Sequence, residues 1–107
     1  MYCKNDILLN ESNMYITKCR GCGKVALLYN NFFVSFNNKD FLNFMDYIEM
    51  LDFNSSAVKF PNGEQYVTVY TCHEDIYFIF NKINFNEFRD KLLQVQLLLQ
   101  VKHILKM

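Results

Sequence analysis

Between Val25 and Phe36 the chain alternates. Val25, Leu27 and Tyr29 take every second position, and after Asn30-Asn31 the alternation resumes with Phe32, Val34 and Phe36. A period of two belongs to strands with one buried face. Two residues tolerant of positive φ between such runs predict a tight hairpin. Upstream, "MYITK" (14–18) reads as a further strand that enters the hairpin through the turn "CRGCG". Downstream the period changes. Phe41, Phe44, Met45, Ile48 and Leu51 fall on one face of a helix predicted over roughly 41–52, with Asp40 as its cap.

The same order then recurs. "AVKF" (57–60) reads as a short strand, and Pro61-Asn62-Gly63 as a turn. Val67, Val69 and Thr71 alternate, as do Ile76, Phe78 and Phe80, with the polar connector "CHED" between them. A second helix is predicted over roughly 85–106, about 31 Å long. Asn84 is its expected cap, Glu87 completes a capping box, and Ile83 is expected to staple against Phe88. Setting Phe36 on Phe80 brings Asn37 onto Asn81, Phe41 onto Phe85 and Phe44 onto Phe88. The expected architecture is a single domain over residues 1–107 in the α+β class. It is a duplicated βββα unit, with pseudo-repeats at roughly 14–52 and 57–106, in which a mainly antiparallel sheet carries two helices packed on it.

Two features exceed what one such domain covers. The last helix is apolar over too wide an arc, with Leu93, Leu97, Leu98 and Val101 beside Phe85, Phe88, Leu92 and Val95. Tyr77 and Ile79 face away from Phe78 and Phe80. Apolar surface with nothing in the chain to cover it predicts an interface, here a homodimer.

Composition agrees with a packed core: 51% of residues are hydrophobic, with eleven Phe and seven Tyr. At 107 residues such a chain buries roughly 65% of its unfolded surface and needs no staple to fold. Eleven basic residues balance eleven acidic ones, which argues against nucleic acid as a partner. No stretch reaches the roughly 20 apolar residues of a membrane span, and "MYCKNDILLNES" lacks a signal-peptide apolar run. The expectation is a cytoplasmic protein, with Cys3, Cys19, Cys22 and Cys72 reduced unless a metal holds them.

Chemistry concentrates at the cysteines. Two thiols separated by two residues can bite one metal ion through a tight turn. Gly23, lacking a Cβ, lets the backbone aim its N–H groups at the sulfurs. "CRGCG" resembles the knuckle of zinc ribbons and rubredoxin-like proteins, but the second cysteine pair of those proteins has no counterpart here. Cys72 and His73 are the candidates to complete the set, provided the two halves fold back so that their turn meets the knuckle. The predicted metal site is therefore Cys19, Cys22, Cys72 and His73 around zinc, with Cys3 or a second subunit as substitute donors. Two other readings of the pair stay open: a plain turn, or a redox-active dithiol. The redox reading sits poorly with a pair that precedes a strand, because thiol activation in thioredoxin-like sites uses a helix N-terminus. Adjacent Cys72 and His73 cannot act on each other as nucleophile and base, and no phosphate-binding loop or Ser/His/Asp set is present.

With "CRGC", "VALLYNNFFVSF", "FLNFMDYI" and "FNEFRDKLL" in view, the chain resembles a family of short bacterial proteins of unknown function with a Cys-x-x-Cys knuckle. The resemblance implies no activity. The function expected is a small non-catalytic binding or interaction module, dimeric, with a structural zinc at the knuckle. The alternative is a thiol-dependent redox enzyme or sensor that uses Cys19 and Cys22.

Overall fold

The computed structural model describes residues 4–105, with side chains as far as residue 102. The architecture is α+β with antiparallel sheets. β1 (Asn5–Asn10), β2 (Met14–Cys19), β3 (Val25–Tyr29) and β4 (Phe32–Phe36) form a four-stranded sheet in that order. Helices α1 (Asn38–Met50) and α2 (Phe53–Ser56) follow. β5 (Val58–Lys59), β6 (Gln65–Tyr70) and β7 (Tyr77–Phe80) make a three-stranded sheet, and α3 (Lys82–Leu105) closes the fold.

The expected strands are present, but they do not form one sheet. β4 and β7 meet through side chains, with Phe32 and Phe78 rings 4.7 Å apart, and no ladder joins the two sheets among the described residues. β1 was not legible as a strand for a local reason. Its register with β2 slips between Ile7 and Leu9, a bulge that turns both Leu8 and Leu9 into the core. Two consecutive inward residues erase the alternation that announces a strand. β7 begins one residue later than expected, after Asp75 at φ 65°, which leaves Ile76 exposed instead of inward.

Both helices are also capped three residues upstream of the expected caps. Asn37 caps α1, its side chain accepting the Asp40 N–H at 2.7 Å, and Asn81 accepts the Asn84 N–H at 2.8 Å. The residue before each cap is a phenylalanine that packs on the phenylalanine four positions into the helix. Phe36 lies 5.6 Å from Phe41, and Phe80 lies 6.4 Å from Phe85. These are hydrophobic staples. Ile83, by contrast, is 75% exposed and staples nothing. With Asn at the cap, the strand's last inward Phe is already in place to serve, and Asn84 becomes an ordinary first-turn residue.

The two sheets and α3 share one apolar core. Met14, Ile16, Val25, Leu27 and Phe36 come from the first sheet, Val67, Val69, Phe78 and Phe80 from the second. Phe41, Phe44 and Ile48 come from α1, and Phe85, Phe88, Leu92 and Val95 from α3. Phe88 sits where these contributions meet, with Tyr29, Phe44, Phe78 and Phe80 rings 4.7–6.3 Å away. Polar bonds at the margin tie α3 to its neighbours. Arg89 donates to the Glu49 carbonyl near the end of α1 (2.8 Å), and Lys91 to Asn13 in the β1–β2 turn (2.6 Å).

Candidate metal centre and adjoining cleft

The knuckle is a four-residue turn closing the β2–β3 hairpin. Cys19 N–H donates to the Lys24 carbonyl (2.8 Å), and Gly23 N–H to the Cys19 carbonyl (2.9 Å). Gly23 takes φ +75°, which is why glycine stands there; a Cβ would meet only Asn38 at 3.8 Å, so conformation rather than space sets the demand. The turn aims a backbone donor at sulfur: Cys22 N–H points to Cys19 Sγ at 3.4 Å. That is the sulfur-directed amide anticipated from the Cys-x-x-Cys-Gly spacing. Cys19 is 5% exposed, whereas Cys22 lies on the surface.

β1 braces the knuckle. Lys4 carbonyl accepts the Arg20 N–H at 2.8 Å, one residue beyond the Asn5–Cys19 pair of the β1–β2 ladder. Arg20 also closes on the Asp6 carboxylate at 2.7 Å, and that hydrogen bond and charge raise the guanidinium pKa further.

The other predicted ligands lie in the 71–76 turn. Its tip reaches the β4 strand close to the knuckle end of the first sheet, where Ser35 pairs with Ala26 and Ala26 with Thr17. There His73 Nε2 lies 2.7 Å from the Ser35 carbonyl. A carbonyl only accepts, so this contact uses the tautomer protonated on Nε2. Thr71 Oγ1 braces the turn by accepting the His73 N–H (3.1 Å) and donating to the Ile76 carbonyl (2.9 Å). Cys72 is exposed; partial desolvation of its sulfur first, and the charge of Asp40 second, raise its thiol pKa. Among the described residues no group of three or more His, Cys, Asp and Glu side chains is close enough to hold a metal ion. Cys3 lies outside the described residues.

Beside the knuckle opens a cleft of about 1340 Å³. Cys19, Arg20 and Gly23 form one end, Leu42, Met45 and Asp46 of α1 one wall, and Gln96, Leu99 and Lys102 of α3 the other. Gln96 spans the walls, donating to Asp46 at 3.2 Å. The sequence reading missed this feature. The available signal was Gln96 and Gln100, a polar pair at i,i+4 spacing in an otherwise apolar stretch of helix.

A cysteine knuckle bracing the end of an antiparallel sheet, with a cleft between two helices beside it, defines a small α+β protein. The chain belongs to a family of unknown function (DUF6686), which matches it over residues 1–107. No curated protein and no solved structure matches the chain. No helix among the described residues is long and apolar enough to cross a membrane.

Proposed function

We propose that this protein is a small non-catalytic binding module, homodimeric, with a structural zinc ion at the Cys19–Cys22 turn and its ligand surface in the adjoining cleft. The observation that carries the reading is the amide of Cys22 directed at Cys19 Sγ in a turn held by Gly23. Such an amide favours thiolate, the form that binds metal. Cys72 and His73 are the completing donors suggested by sequence, and their participation asks His73 to release Ser35 or to ligate through Nδ1.

Support for the dimer comes from the outer face of the first sheet. Tyr15, Leu28 and Phe33 stand opposite one another across three strands, and Phe33 is 63% exposed. A second copy is the occupant that a self-complementary apolar row suits. The matching Asn caps and Phe staples of α1 and α3 support the further reading that the chain arose by tandem duplication of a βββα unit.

Protein purified without chelator is expected to carry one zinc per chain by elemental analysis and to sediment as a dimer, with Phe33→Asp giving monomer. Absence of stoichiometric metal overturns the zinc reading, and a monomeric wild type overturns the dimer. The redox alternative has its own observation, the exposure of Cys22 beside Cys19. It requires Cys22 to be alkylated faster at neutral pH than a free thiol, and a rate no faster than that removes its support.

A further inference from the structure

We infer that the cleft binds an amphipathic monoanion, an alkyl chain ending in a carboxylate, with Lys18 and Lys102 at the head and Leu42, Met45 and Leu99 along the chain. This rests on the reading of the cleft as the ligand surface and names its ligand class; it depends on neither the zinc nor the dimer. Two cations in core register point there. One inward row crosses all four strands of the first sheet through Phe36, Val25, Lys18 and Asp6. Val25 and Phe36 are buried, and along β2 itself Lys18 continues the inward alternation of Met14 and Ile16. On α3 the inward stripe Phe88, Leu92, Val95 and Leu99 continues at the same spacing to Lys102. Each lysine thus stands where the pattern calls for an apolar side chain, is half-buried, and lines the same cleft. Lysine is kept off inward faces unless its charge is matched.

Helix direction brings the two lysines toward one end. α3 runs against α1, with Arg89 at the Glu49 carbonyl and Gln96 at Asp46, so Lys102 approaches the start of α1. There Asn38 lies beside Gly23 of the knuckle. The acids of the cleft are already engaged, Asp6 by Arg20 at 2.7 Å and Asp46 by Gln96 at 3.2 Å. Lys18, Arg20 and Lys102 against Asp6 and Asp46 leave one positive charge in excess, which a single carboxylate neutralises. An inorganic anion would leave the Leu42, Met45 and Leu99 walls wet, and a cationic amphiphile would meet the charge excess. At about 1340 Å³ the cleft exceeds the roughly 300–1,000 Å³ usual for small-ligand pockets, so an alkyl chain enters without displacing the core.

Calorimetric titration of the full chain with dodecanoate, kept below its micellar concentration, is expected to show one site per chain. Decanoate should bind about 15-fold more weakly, since each buried methylene is worth about fourfold. Dodecyltrimethylammonium, the same chain with the opposite charge, should bind more weakly than dodecanoate by about tenfold or more. Lys18→Met and Lys102→Met, which place an apolar side chain in core register, should each weaken dodecanoate by about tenfold or more and narrow the gap between the two head groups. Lys39→Met, which removes an exposed lysine of α1 that does not line the cleft, should change neither. Leu42→Asp, at a wall position that is 42% exposed and tolerant of a polar side chain, should abolish binding. Equal affinity for the two head groups, or indifference to both lysine variants, overturns the anion assignment while leaving the cleft as a ligand surface. Indifference to Leu42→Asp, or no binding of either alkyl ion, overturns the cleft reading as well. A chain that ignores dodecanoate and whose dimer is dissociated by Leu42→Asp has a second copy in the cleft, and the inference fails.

Discussion

Phe88 offers the sharpest test of how the two sheets depend on each other. Its ring is fully buried and touches Tyr29 of the first sheet, Phe44 of α1, and Phe78 and Phe80 of the second sheet. Truncating a buried Phe to Ala typically costs about 3–5 kcal/mol, from lost transfer energy and the cavity left behind. Here the upper half of that range applies, because the four partner rings are anchored on three separate elements, β3, α1 and β7, and cannot close the gap together. Phe88→Ala is therefore expected to cost about 4 kcal/mol. With a urea dependence of roughly 1.5 kcal/mol per M, the unfolding midpoint falls by about 2.7 M. That loss is a large part of the ~5–15 kcal/mol available to an ordinary domain, so Phe88→Leu, expected to cost roughly 1–2 kcal/mol, provides a graded companion. Unfolding is followed by far-ultraviolet circular dichroism and by tyrosine fluorescence, since the chain has no Trp. The two signals should move together. A loss below about 1.5 kcal/mol in Phe88→Ala, or two separated transitions in wild type, would refute the idea that one core serves both sheets.

Asn37→Ala and Asn81→Ala should each cost about 0.5–2 kcal/mol in the same assay, because each removes the side chain that accepts a first-turn N–H; Asn84→Ala, at the cap expected from sequence, should be nearly neutral. Cys72, whose pKa is raised by desolvation and by Asp40, should alkylate more slowly at pH 8 than an unshifted thiol. Its rate should climb as pH rises through the thiol's elevated range, and Asp40→Asn should shift that climb to lower pH. Mass-resolved labelling reads both effects, and a rate equal to that of glutathione would contradict the assigned environment.

What could be read from the sequence followed the locality of the signal. The Asn30-Asn31 hairpin and the Pro61-Asn62-Gly63 turn were legible because φ demands are set by single residues, and Asn30 and Gly63 do take positive φ. The inward faces of α1 and of the first half of α3 were legible from a period of 3.6. β1 escaped because its bulge breaks the alternation of Ile7, Leu8 and Leu9. The caps were displaced because each helix start offers two capping residues three positions apart, Asn37 and Asp40 in α1 and Asn81 and Asn84 in α3. Local chemistry could not choose between Asn81 and Asn84, whereas the placement of Phe80 at the strand's end does. The knuckle was visible in five residues, but the cleft beside it was not. That cleft exists only because α3 passes α1 and the end of β1, a long-range arrangement for which the chain carries no local mark beyond two glutamines.

The position of α3 in chain order has a consequence for biosynthesis. Every strand is translated before the segment from Phe85 to Val95 that fills the space between the sheets. While that segment is still inside the ribosome, Tyr29, Phe44, Phe78 and Phe80 lack their common partner, and the emerging polypeptide displays an aromatic surface of the kind that chaperones recognise. Maturation is thereby postponed until the final helix clears the exit tunnel.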